Sequence, residues 1–259
     1  MISKILKILC LIPLLYLVII PVFLADSSGS DFCGGVKIDL KDSAKYHFVT
    51  KRSLVSLVQG SGKILGKPVK EIPVAEIEGR IKNLRELREA EVYVAVDGTI
   101  HVYADQRDPV MRVMPDEGGD FFVDRDGVLM RKRNLYNPRL HVVSGNITIT
   151  QKMLDGVSIL DTVIKNSILK DIYYMVEYID DDDFWSAQID QIYVDGNNQI
   201  DLIPRVGNHV IHIGSTDNLD AKLRNLSAFY DKVLPEVGWN KYSVINLEYK
   251  DQIVCKKRN

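Results

Sequence analysis

Ala90-Glu-Val-Tyr-Val-Ala-Val-Asp-Gly-Thr-Ile-His-Val-Tyr-Ala104 decides the fold. Two β-rich runs, Glu91–Val96 and Thr99–Ala104, flank Asp97-Gly98. A tight two-residue turn needs positive φ, which Asp-Gly supplies, so the stretch predicts a β-hairpin. Before it, Val74, Ile77, Ile81 and Leu84 recur at helical spacing just after Pro73. Before that, Thr50 is a helix N-cap candidate, Leu54, Leu57 and Val58 follow at helical spacing, and Gly60 ends the run. Val36, Ile38 and Leu40 alternate with polar residues, so Val36–Lys41 reads as a strand. The order is strand, helix, helix, strand, strand.

Beyond the hairpin the chain is richer in strands. Val110–Met114 precedes a turn at Glu117-Gly118-Gly119. Phe121–Val123 and Val128–Met130 flank Asp124-Arg-Asp-Gly127, a second hairpin. His141–Val143 is a short strand ahead of Gly145. Thr150 is placed to cap a helix bearing Met153, Val157, Leu160, Ile164 and Ile168 on one side, although Gly156 weakens it. Ala187–Val194, Gln199–Pro204 and His209–Ile213 read as strands, with Phe184-Trp185 resuming the sheet. Asp217 opens a helix with Leu219, Leu223, Leu226, Tyr230 and Val233 on one face, and Gly238 lies past its end. Ser243–Tyr249 and Gln252–Cys255 close the chain as strands.

The amino terminus has a different character. Ile8–Ala25 contains no charge, and as a helix it would span about 27 Å, close to the hydrocarbon core of a bilayer. Lys4 and Lys7 precede it and Asp26 and Asp31 follow, so the bulk of the chain is expected across the membrane from a short cytoplasmic tail. A cleaved export signal shares this charge order. Ala25 suits the position before a cut, but Phe23 does not suit the third position before it. The reading is an uncleaved, single-pass anchor. These 25 residues hold none of the 35 Asp and Glu, so the rest of the chain is more acidic than the net charge of −2 for the whole 259 residues. Such a balance argues against a nucleic-acid binder.

Candidate chemistry is thin. Asp180-Asp-Asp-Asp183 offers four carboxylates for calcium, but consecutive side chains converge only in a dedicated loop, and a solvated loop is the simpler reading. Asp124-Arg-Asp126-Gly127 starts like a calcium loop and lacks the later Glu. His209 and His212 fall on opposite faces of a strand. Gly60-Ser-Gly62-Lys63 departs from a phosphate loop at Ile64, and Asn146-Ile-Thr148 matches a glycosylation sequon. Cys33 and Cys255 are open to pairing in an oxidising compartment, with nothing in the sequence to bring them together. No catalytic, cofactor-binding or metal-binding set emerges, and the expectation is a protein that is not an enzyme and carries no cofactor.

The strand-helix-helix-strand-strand module after a single anchor resembles a POTRA domain. The whole chain resembles the FtsQ/DivIB cell-division family, particularly its Bacteroidetes-like form. The resemblance rests on Phe48-Val-Thr-Lys51, Ala90–Ile100, Gln106-Arg-Asp-Pro-Val-Met-Arg-Val113, Phe122-Val-Asp-Arg-Asp-Gly-Val-Leu-Met130 and Val244-Ile-Asn-Leu-Glu-Tyr249. It implies an α+β fold: a tail at 1–7, one transmembrane helix at 8–25, a small POTRA domain (β-α-α-β-β) at 33–105, and a larger mixed α/β domain with an antiparallel-rich sheet at 106–259.

It also implies a bitopic divisome scaffold of the bacterial inner membrane, with its bulk in the periplasm. Such a scaffold binds FtsB- and FtsL-like bitopic proteins and helps recruit and regulate septal peptidoglycan synthesis. The expected docking residues are Leu247, Glu248, Tyr249, Ile253 and Val254 on the last strands, where a partner adds a strand to the sheet edge. Asn246 and Glu248 depart from the family's Asp-Leu-Arg-Tyr pattern, which puts an Arg-mediated contact in doubt. Other divisome proteins are expected at the POTRA module, along Thr99–Ala104, unless that strand only completes its sheet. The competing readings are a membrane-anchored exported hydrolase or carbohydrate-active enzyme, hinted at by Asp180–Asp183, and a POTRA-containing transport or assembly component.

Overall fold

The computed structural model describes residues 31–60, 62–133, 136–250 and 252–258. The anchor expected over 8–25 lies outside them, and no described helix is long and apolar enough to cross a membrane. The chain divides between Gln106 and Arg107 into two compact units.

The first unit contains β1 (Gly35–Lys41), α1 (Lys51–Gln59), a 3₁₀ turn (Val69–Glu71), α2 (Val74–Lys82), β2 (Leu87–Val94) and β3 (Thr99–Gln106). Thr50 caps α1: its hydroxyl accepts from Ser53 N at 3.1 Å, and Ser53 Oγ accepts from Thr50 N at 3.0 Å. These bonds satisfy amide donors that have no partner inside the helix. Leu54 and Val58 of α1, with Ile77 and Ile81 of α2, pack in one core with Ala90, Val92, Ile100, Val102 and Ala104 of the sheet. Each of the larger side chains contributes about 1.5–3 kcal/mol by leaving water.

The strand order is β1-β3-β2, with β1 parallel and β2 antiparallel to β3. The edge considered along Thr99–Ala104 is therefore ruled out, and the alternative, that this strand only completes its sheet, is what forms. β3 is the central strand, and both of its sides are already hydrogen-bonded. The crossover through α1 and α2 lays β1 parallel against β3, which removes β3 from the edge. Gln106 ends β3 buried, accepting from Val49 N at 3.0 Å and donating to Tyr46 O at 3.1 Å.

The second unit contains β4 (Pro109–Pro115), β5 (Phe121–Asp124), β6 (Leu129–Arg131), β7 (His141–Gly145), α3 (Gln151–Leu154), α4 (Ile168–Asp180) and α5 (Asp183–Gln188). It continues with β8 (Ile189–Val194), β9 (Ile200–Pro204), β10 (Val210–Gly214), α6 (Leu219–Lys232), α7 (Leu234–Val237), β11 (Tyr242–Asn246) and β12 (Val254–Lys257). One mixed sheet runs β12-β11-β10-β9-β8-β7-β4-β5-β6. The pairs β4–β7, β7–β8 and β10–β11 are parallel, and the others are antiparallel.

Strand alternation sends Val113, Val143, Ile192, Leu202, Ile211 and Ile245 into a core with Leu169, Ile172, Val176 and Ile179 of α4 and Leu223 and Leu226 of α6. The opposite row, Val142, Gln191, Ile203, Val210 and Val244, is only partly buried. Registers place these five side by side on consecutive strands.

The β5–β6 hairpin forms where Asp124-Arg-Asp-Gly127 predicts it. Asp124 is buried, accepts from Val128 N at 2.7 Å, and meets Arg107 Nη1 at 2.6 Å. Burial pushes its carboxyl up and the Arg107 contact opposes that shift. Gly127 has φ 72, and a Cβ there would lie 2.5 Å from Ser158 Oγ.

Two expectations fail between residues 150 and 188. The helix expected from Thr150 through Ile168 stops at Leu154. Gly156 takes φ 97 and Asn166 φ 53, both left-handed, so 155–167 runs as turns that insert Ile159 and Ile164 into the core. The long helix is α4, which comes next. Phe184-Trp185 does not resume the sheet. Asp182 Oδ1 accepts from Phe184 N at 2.9 Å and Trp185 N at 3.0 Å, capping α5 and deferring the strand to Ile189. The aspartate run is thus solvated as expected, but it forms an exposed helix-to-helix junction rather than an extended loop.

Candidate protein-docking edge

β12 is the outermost strand at one end of the large sheet, and β6 is outermost at the other. β12 pairs antiparallel with β11 (Ile245↔Cys255, Asn246↔Val254), with a register shift between Tyr242 and Val244. Ser243 Oγ donates to Lys256 O at 3.2 Å beside that shift. Val254 and Lys256 alternate with Cys255, which packs on the core. Burial pushes the Cys255 thiol up, which suppresses the reactive thiolate. Cys33 is buried in the first unit, and both cysteines are free.

An edge strand exposes main-chain donors and acceptors along its outer side. β12 is only four residues long and carries Lys256 and Lys257, with Arg258 next. Short length and lysines discourage indiscriminate pairing of edges, so a complementary strand must suit a basic rim.

The five expected docking residues split into two groups. Leu247 is 3% exposed in the core, and its amide donates to His212 O at 2.8 Å, continuing the ladder one residue past β11. Ile253 packs on the same core. These two hold the ends of the connection. Glu248, Tyr249 and Val254 face solvent, the latter two 49% and 47% exposed. Glu248 N donates to Asn246 Oδ1 at 2.8 Å, and its carboxylate lies 3.8 Å from His212 Nε2. His212 Nδ1 is 2.6 Å from Asp201 Oδ1. Glu248 is thus committed in part to its own sheet.

Sequence reasoning missed what supports β11. His209 is buried on the helix side, opposite His212, with Nε2 2.7 Å from Tyr230 Oη. Tyr230 packs on Trp239 and Trp185 at ring-centre distances of 5.1 and 5.8 Å. Burial lowers the His209 pKa and pushes Tyr230 up to about 12. The cluster fixes the turn from α7 through Gly238, φ 89, into β11. Its residues are spread from 185 to 239, so only the tertiary fold reveals it.

His141, Asp180 and Ser186 come together at the C-terminal end of α4. His141 Nε2 is 2.9 Å and Ser186 Oγ 3.0 Å from the same Asp180 Oδ1. The aspartate stands between the other two, so the histidine is not placed to take the serine proton as hydrolytic triads require. Among the described residues no His, Cys, Asp or Glu group is placed to hold a metal ion.

A POTRA-like domain matches residues 31–104. None of the curated proteins compared matches the chain. The description "FtsQ/DivIB, C-terminal related" matches residues 108–256, more than half of the sequence and nearly all of the second unit, so the chain belongs to the FtsQ/DivIB-related family.

Proposed function

We propose that this protein is a bitopic divisome scaffold without catalytic activity. It docks an FtsB- or FtsL-like membrane partner by strand addition to β12, and through it helps recruit and regulate septal peptidoglycan synthesis. Family membership supports the cell-division role. The observation that carries the docking mode is the position of β12, at the edge of the sheet, with exposed Val254 as its first residue and exposed Tyr249 in the connection before it. The charge-free run at 8–25 would tether the protein in the inner membrane with both units in the periplasm. Tethered partners meet at high effective concentration, so a short edge suffices for a useful contact.

Co-purification tests this reading. Val254→Pro removes a main-chain donor from β12, and Tyr249→Glu places charge on the exposed aromatic. Both are expected to reduce recovery of an FtsB-like partner by about tenfold or more while leaving thermal stability nearly unchanged. Full recovery with both variants would rule out strand addition at this edge. Depletion in the host should give undivided filaments, and normal division would remove the scaffold role.

A further inference from the structure

Two of the four aspartates, Asp180 and Asp183, also line a cavity. A cavity of about 330 Å³ opens where β7 and β8 begin and α4 gives way to α5. Its walls include Arg139, His141, Asp180, Asp183, Ser186 and Arg205. The aliphatic atoms of Leu140, Ala187 and Ile189 complete the lining. It shares no residue with the candidate docking edge.

The charges in this cavity are unevenly satisfied. Arg205 is occupied, with Nη2 2.5 Å from Asp190 Oδ1. Asp180 receives His141 and Ser186 on Oδ1 alone, and Oδ2 has no partner among the described residues. His141, 6% exposed, fixes this carboxylate from beneath. Burial alone would raise the Asp180 carboxyl, and the His141 contact reverses that effect, holding it below the usual carboxylate range. Arg139 and Asp183 both line the space, and neither pairs with the other or with any other described residue. A cavity with an unmatched cation and unmatched carboxylate oxygens suits a ligand carrying both opposite charges close together.

We infer that this cavity binds a compact zwitterion, an α-amino-acid group. Its carboxylate pairs with Arg139, and its ammonium is held by Asp183 and Asp180 Oδ2. The guanidinium fork matches a carboxylate, and an ammonium has three donors to share between two acids. The inference stands independently of the β12 docking mode.

Ligand-observed NMR on the full-length chain in detergent tests it, with alanine as the probe. N-acetylalanine removes the ammonium and alaninamide removes the carboxylate. Alanine is expected to bind at millimolar concentration, and each blocked form about tenfold more weakly, the factor one charge-assisted contact carries. Arg139→Gln should lose the preference for alanine over alaninamide, and Asp183→Asn should reduce the preference over N-acetylalanine. Both variants change exposed side chains and should keep the parent melting temperature. Absence of alanine binding, equal binding of the blocked forms, or unchanged preferences in both variants would overturn the assignment.

Discussion

Gly127 shows how a single position carries a motif. Its φ of 72 suits glycine, and a Cβ would also lie 2.5 Å from Ser158 Oγ and 2.8 Å from Leu160 Cγ. The carbonyl of Gly127 accepts from Ile159 N at 2.8 Å, so the 158–160 segment cannot simply retreat. Gly118, with φ 104, has open space where its Cβ would stand. Gly127→Ala should therefore combine backbone strain with a clash and cost about 2–4 kcal/mol, against about 1 kcal/mol for Gly118→Ala. Urea denaturation of the two variants checks the difference, and equal losses would leave strain alone as the cause. The glycine was legible as a turn residue in Asp-Arg-Asp-Gly. Its contact with residues 158–160 was not, because nothing local encodes it.

At the scale of elements, legibility followed the source of each signal. α1 and α2 carry regular apolar spacing and clear boundaries at Thr50, Gly60 and Pro73, and they form where the spacing puts them. The 150–188 region misleads because Val157, Leu160 and Ile164 mimic helical periodicity while serving as core plugs on turns. Left-handed Gly156 and Asn166 break the helix that the pattern suggests. Asp182 hides for a different reason: in a run of four aspartates, sequence does not reveal which one caps. Asp182→Ala should cost about 1 kcal/mol through loss of the α5 cap, read as a lower urea midpoint. The same change at Asp181, which makes no side-chain cap, should fall within about 0.5 kcal/mol of the parent. Equal effects at 181 and 182 would show that the cap contributes nothing. At the candidate edge, the hydrophobic pattern revealed strands around residues 243–255, but it did not separate buried Leu247 from exposed Tyr249 two residues on.

For the whole molecule, stability as a function of pH reports one of the buried histidines, His209. Desolvation holds His209 below its ordinary value of 6.5. The unfolded chain therefore takes up the proton first as pH falls. Stability is fullest above about pH 6.5 and declines below it, down to the depressed folded value. Asp180 is depressed from 3.8, so its contribution is kept above that value and lost only in stronger acid, as pH falls through the folded value. The two windows are separate. Between about pH 7.5 and 5.5 the melting temperature should fall, and His209→Gln should flatten that fall by removing the titration. Parallel slopes for parent and variant would assign the acid sensitivity elsewhere. The element order of the first unit was legible from spacing, and the POTRA-like unit with a large antiparallel-rich sheet followed from the family resemblance. The open row Val142–Val244 was not, since a half-covered sheet face differs from a covered one only in what packs above it.

β12 is outermost in space and also the last of the nine strands in chain order. A polypeptide emerging from its amino end can therefore assemble the other eight strands of this sheet before the proposed docking edge exists, with β11 as the temporary rim. The proposed partner site is then the last piece of this sheet to form. In the docking mode proposed above, a chain lacking residues 254–257 would carry the core of this sheet without the strand to which a partner would add.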